Sequence, residues 1–246
     1  MRKNGFTLAE VLITIGIIGV VAAMTMPSLV VKHQEKVAVT ALKKFYTSIS
    51  QAYSYAKYEH GTPDNWYSNM SGVSQNEKNM VMTDIFAQYM KIDKICYANK
   101  GCFPDVMYKK IDGNNTVNWD AKTNGLVSKL RTSDGMSVFF YSYGSTPTST
   151  GTGFLQESFG ALSVDINGYK LPNVQGRDMF SFTITKEGIV PLGTATAMTG
   201  QEFKKVCNRI NCQGYCEGCT AWVLYNENMD YLHCDDLDWN GKTSCK

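Results

Sequence analysis

Three sets of residues in this 246-residue chain have types and spacings that could do chemistry. The first is a single carboxylate, Glu10, at the head of a run with no other charge from Val11 to Val31. An ionised group among apolar neighbours needs an opposite charge or a hydrogen-bond donor. The second is eight cysteines, Cys96, Cys102, Cys207, Cys212, Cys216, Cys219, Cys234 and Cys245. Their thiols can join as disulfides; alternatively, the pair Cys216-Glu217-Gly218-Cys219 with His233-Cys234 has the spacing to close around zinc. The third is Asp165-Ile166-Asn167-Gly168, followed by Gly176-Arg177-Asp178. Oxygen-bearing side chains around a glycine turn make Asp165, Asn167 and Asp178 candidate calcium ligands. The competing reading is a hairpin turn in which Asp and Asn satisfy local backbone groups.

No other pattern carries chemistry. The three histidines, His33, His60 and His233, stand apart from one another. The sequence holds no nucleophile elbow, phosphate loop or helical metal pair, so an enzyme is not indicated. Lys and Arg total 24 against 22 acidic residues, a balance too even to attract nucleic acid over the whole molecule.

These residues need elements to position them. The uncharged run is long enough, as a helix, to span about 30 Å, the hydrocarbon thickness of a bilayer. Arg2 and Lys3 precede it, as they would in a secretory signal, but the run is too long for one and no small-residue cleavage site follows it. A membrane-spanning helix is therefore expected. Pro27 removes a donor within it and is expected to kink or loosen it. Beyond Lys32, apolar residues at Val37, Ala41, Phe45, Ile49, Ala52 and Ala56 follow three- and four-residue steps, predicting one buried face until Gly61-Thr62-Pro63-Asp64 ends the helix.

The N-terminal stretch Gly5-Phe6-Thr7-Leu8-Ala9-Glu10, with Pro27 in register, resembles the type IV pilin-like proteins, including the pseudopilins of type II secretion. The resemblance covers about thirty residues. It implies a leader at residues 1–5, cleavage by a prepilin peptidase between Gly5 and Phe6, and methylation of the new Phe6 amine. It further implies a spanning and assembly helix at 6–31, in which Glu10 of an incoming subunit meets the Phe6 ammonium of its neighbour, offsetting the burial of both charges. The cleavage motif must face the cytoplasm, so the rest of the chain is expected outside.

For the remainder, an amphipathic helical continuation at 32–60 and one globular domain at 61–246, with a cysteine-rich end at 207–246, are expected. Residues Glu77 to Met90 read as a helix. Met136 to Tyr143, Phe159 to Ile166 and Asp178 to Thr185 read as strands, and Ile189-Val190 as a short returning one. Asn167-Gly168 and Glu187-Gly188 read as turns, and 144–153 as a loop. The fold class is thus α+β: a long N-terminal helix packed on an antiparallel sheet, with a disulfide-rich end. In an oxidising space the even cysteine count implies four bridges, Cys96 with Cys102 and Cys234 with Cys245, the pairing of the other four being open.

The expected function is a structural subunit of a pilin-like filament, either a secretion pseudopilin or a pilin. It would be anchored by one span in a bacterial inner membrane, with the prepilin peptidase and like subunits as partners. The alternative is a membrane-anchored surface-binding module that uses the same export signal.

Overall fold

The computed structural model of the chain describes residues 7–67, 72–148, 153–194 and 200–245. The chain divides into two compact units, Met1–Val37 and Ala38–Lys246, and helix α1 (Leu8–His60) contributes to each. In the first unit α1 is the only described element. It is long and apolar enough to cross a membrane, and its large side chains, among them Leu12, Ile15, Ile18 and Leu29, are exposed. The helix runs through Pro27 without interruption.

In the second unit, α1 buries Val39, Leu42, Phe45, Ile49, Ala52, Tyr53 and Ala56. Steps of three and four place these on one side of the helix. The sequence reading put the start of this face at Val37 and Ala41; Val37 is 53% exposed and the stripe begins instead at Val39 and Leu42. Helix α2 (Gln75–Ala87) starts at a capping box, with Ser74 and Glu77 each accepting from the other's backbone N–H.

Among the described residues, eight strands form one sheet: β1 (Ile92–Tyr97), β2 (Lys109–Lys110), β3 (Ser128–Thr132), β4 (Ser137–Ser142), β5 (Ser158–Asp165), β6 (Val174–Gln175), β7 (Met179–Thr185) and β8 (Ile189–Pro191). The order is β1-β3-β4-β5-β7-β6-β2, with β8 also pairing β7. The expected antiparallel arrangement holds from β1 through β5 to β7 and β8, but β6 pairs parallel with both β7 and β2, so the sheet is mixed. The four strands read from the sequence are β4, β5, β7 and β8; the expected loop after β4 includes 149–152, outside the described residues.

The sheet is buried on both faces. Against α1 and α2 lie Leu130, Val138, Phe140, Leu162, Val164, Phe180 and Phe182; Phe86 stacks on Phe140 at 5.1 Å. The opposite face carries Phe139 and Met179 and is covered by Phe103, Tyr108, Trp119 and Val127, from the long connection between β1 and β3. Trp119 stacks on Phe139 at 4.4 Å. Lys129 is wholly buried, and its ammonium donates to the carbonyls of Asp120 and Lys122, both at 2.9 Å. Burial pushes its pKa down. The Asp120 carboxylate in turn accepts from the N–H groups of Gly101, Cys102 and Phe103. These two residues pin the covering connection from opposite ends.

After β8, α3 (Gly200–Val206) and α4 (Cys219–Asn226) extend the core through Phe203 and Trp222, stacked at 4.6 Å. Gly193 is required here: it sits at φ +91°, and a Cβ would stand 1.9 Å from the Gly218 carbonyl oxygen.

Candidate functional site

Of the N-terminal residues singled out in the sequence, Gly5 and Phe6 lie outside the described residues. Glu10 is at the start of α1. Its Oε2 accepts from the backbone N–H and the hydroxyl of Thr7, both at 2.8 Å, and the Thr7 oxygen accepts from the Glu10 N–H at 3.3 Å. A helix start leaves its first N–H groups without intrahelical partners, and this reciprocal pair satisfies two of them. The carboxylate therefore has donors within its own chain, at a position where an ionised group is costly in a bilayer. The sequence reading gave Glu10 the amine of a neighbouring subunit as its partner, with a carboxylate reaching the membrane edge as the alternative, and did not identify this contact with Thr7.

The eight cysteines are all paired, as Cys96–Cys102, Cys207–Cys219, Cys212–Cys216 and Cys234–Cys245. The first and last pairs are the expected ones, and the open four resolve into a bridge nested within a bridge. The zinc reading is corrected: Cys216, Cys219 and Cys234 each bond another cysteine, which removes the thiolates that a zinc site needs. The nested bridges are held to the rest of the domain by Asp112. One of its oxygens accepts from the Cys212 N–H at 3.0 Å, and Lys110 donates to the Cys212 carbonyl at 2.6 Å. Burial pushes the Asp112 carboxyl up, but the N–H groups of Asn114 and Cys212 and the Lys110 ammonium outweigh it, so its pKa lies below the usual value.

The three candidate calcium ligands fall on the turn between β5 and β7. Asp165 is fully buried; one oxygen accepts from the N–H groups of Asn167 at 3.1 Å and Gly168 at 3.0 Å, and the other accepts the Tyr108 hydroxyl. Asn167 donates to the Pro172 carbonyl at 3.0 Å, and Asp178 accepts from the Val174 N–H at 3.1 Å. Burial raises the carboxyls of both Asp165 and Asp178 to about 7. Protein donors thus take both oxygens of Asp165, in the manner of an Asx turn. Among the described residues, no group of three or more His, Cys, Asp or Glu side chains is arranged to hold a metal ion.

With this geometry established, comparison with known proteins separates the chain into two parts. Residues 1–26 match the Prokaryotic N-terminal methylation motif, the prepilin-type signal of the type IV pilin-like proteins and pseudopilins. Residues 28–226 match a family described as Family of unknown function (DUF6613). The chain belongs to the DUF6613 family. No curated protein and no solved structure matches it.

The two matches adjoin at Pro27, within α1, so in this DUF6613 protein the methylation motif lies outside the stretch that the family covers. The prepilin-type signal and the apolar helix fit a membrane-anchored protein processed by prepilin peptidase. The folded unit has an open groove of about 510 Å³ floored by Phe45 and Met136, with Ser48, Gln51, Lys91 and Ser133 along its walls. The Lys44–Asp134 ion pair, 2.8 Å long, also lines it. These are mainly exposed hydroxyl, amide and ammonium groups, and the Thr132 hydroxyl donates to the Asp134 carboxylate beside them.

Proposed function

We propose that this protein is a structural subunit of a type IV pilin-like filament, either a pseudopilin of a type II secretion system or a pilin. It is held by a single span in the inner membrane until assembly. The observation that carries the reading is the match of residues 1–26 to the methylation motif, which takes in the first part of a helix able to cross a membrane. The architecture supports it, since the second part of α1 is the spine of the folded unit and packs on the sheet through Leu42, Phe45 and Ile49. Four disulfides suit a domain that matures in an oxidising space outside the cytoplasm.

Glu10 is the assembly residue in this reading. Its Thr7 contacts satisfy the helix start while the subunit waits in the membrane, and the carboxylate meets the methylated Phe6 ammonium of a neighbour on incorporation. The decisive experiment replaces the native copy with Glu10→Ala. Cleavage at Gly5 should continue while filament yield falls; unchanged yield would refute the assembly role. A protein that never co-purifies with like subunits would instead be a tethered surface module.

A further inference from the structure

Asn114-Asn115-Thr116 has the Asn-x-Thr form of an N-linked sugar acceptor, a pattern with meaning only on the surface of an exported domain. The related Asn-x-Ser form occurs once, at Asn69-Met70-Ser71, which lies outside the described residues. At Asn114 the structure supplies the context that the pattern requires. Gly113, Asn114 and Asn115 are all exposed, at the tip of a tight hairpin that runs from Lys109 to Thr116. The hairpin is closed by Lys110 N–H donating to the Asn114 carbonyl at 2.8 Å and by Gly113 N–H donating to the Lys110 carbonyl at 2.9 Å. Gly113 makes the reversal at φ +86°.

The tip is also fixed from beneath. Asp112 accepts from the Asn114 N–H at 3.0 Å with one oxygen and from the Cys212 N–H at 3.0 Å with the other. The Thr116 hydroxyl donates to the Tyr108 carbonyl at 3.1 Å. The Asn114 side chain bonds the Asp112 carboxylate within its own turn, a local contact that an enzyme could break without parting elements of the fold.

We propose that Asn114 carries an N-linked glycan in the exported protein, a proposal that rests on the export argued above. The co-reactant is an oligosaccharide linked to a lipid through pyrophosphate, and the enzyme is a membrane oligosaccharyltransferase. The Asn114 Nδ2 forms a bond to the anomeric carbon as the bond from that carbon to the phosphate oxygen breaks. The lipid pyrophosphate leaves, and the amide gives up one proton to a base of the transferase. A bulky polar sugar at this tip keeps neighbouring subunits away from it, so residues 112–115 face solvent in the filament.

Mass spectrometry of protein from its native membrane tests this. Trypsin releases residues 111–122 as one peptide free of cysteine, and the same digest reads the mature N-terminus. The expected result is a saccharide mass on that peptide in chains beginning at Phe6, lost in Asn114→Gln with no change in melting temperature. Only bare 111–122 peptide from chains cleaved at Gly5 overturns the glycan and leaves the filament reading intact. Chains that retain Met1 overturn prepilin-type processing, and with it the filament reading, whatever the state of Asn114. Sugar confined to Asn69 also overturns the assignment.

Discussion

The Asp112 carboxylate accepts a hydrogen bond from the backbone N–H of Cys212 at 3.0 Å, across a hundred residues of sequence. This contact joins the β2 hairpin to the nested disulfides and fixes where the cysteine-rich end sits on the domain. Disulfides cross-link that end internally, since each of the three bridges beyond residue 200 closes a loop of a dozen residues or fewer. Attachment to the sheet therefore depends on contacts such as this one.

Asp112→Asn should consequently destabilise the domain by about 1–3 kcal/mol, the range for leaving buried partners poorly satisfied. The pH dependence has a definite sign. The folded-state pKa lies below the ordinary 3.8, so the contribution is fully present above about pH 4 and is lost as the pH falls through the lowered value. Melting curves of the detergent-purified protein should show a larger wild-type advantage at pH 6 than at pH 3. An advantage independent of pH would show that the carboxylate's charge is not what holds Cys212.

Phe45 is 2% exposed and meets Phe182 at 5.8 Å between ring centres. Truncating a buried aromatic of this kind costs about 3–5 kcal/mol, so Phe45→Ala should sharply lower the urea midpoint. The same change at Tyr58, which is 88% exposed on the same helix, should leave it within about 0.5 kcal/mol of wild type. Similar effects at the two positions would mean that this part of α1 is not packed on the sheet.

What the sequence revealed and what it concealed follow from where each residue's signal lies. Helix α1 and strands β4, β5 and β7 were legible because their apolar residues repeat at helical or strand periods over enough positions to be distinctive. Strand β3, Ser128-Lys129-Leu130-Arg131-Thr132, was not. Its Lys129 reads as a solvent residue, and only the tertiary fold shows three carbonyls waiting for its ammonium. β1 was hidden for a related reason: it is an edge strand with two register shifts, and Asp93 and Lys94 interrupt its alternation. The connection covering the second sheet face has no period at all. At the candidate site, the pilin-type signal was legible as a motif, but the Thr7–Glu10 contact needed the helix start to be located first.

The mature chain should begin at N-methyl-Phe6. Residues 1–26 match the methylation motif, and Gly5→Asp should leave an uncut precursor that accumulates in the membrane. Intact mass of the membrane-extracted protein decides the matter: retention of Met1, or cleavage after Ala22 or Ala23, would identify an ordinary signal or anchor.

The turn carrying Asp165 tests whether calcium has a place in this domain. Calcium needs six to eight oxygens with free lone pairs, and the two oxygens of Asp165 are already met by Tyr108, Asn167 and Gly168. A carboxyl raised to about 7 can also carry a proton near neutrality, which removes the charge that would otherwise call for a cation. Any ion that bound only the folded state would raise stability in proportion to the logarithm of its concentration over its dissociation constant. The expected outcome is therefore that a chelator leaves the melting temperature unchanged. Tyr108→Phe, by contrast, strips a donor from a buried oxygen and should cost about 1–3 kcal/mol with or without calcium. A melting temperature that drops on chelation in wild type, but not in Asp165→Ala, would reverse this assignment and make Asp165, Asn167 and Asp178 ligands after all.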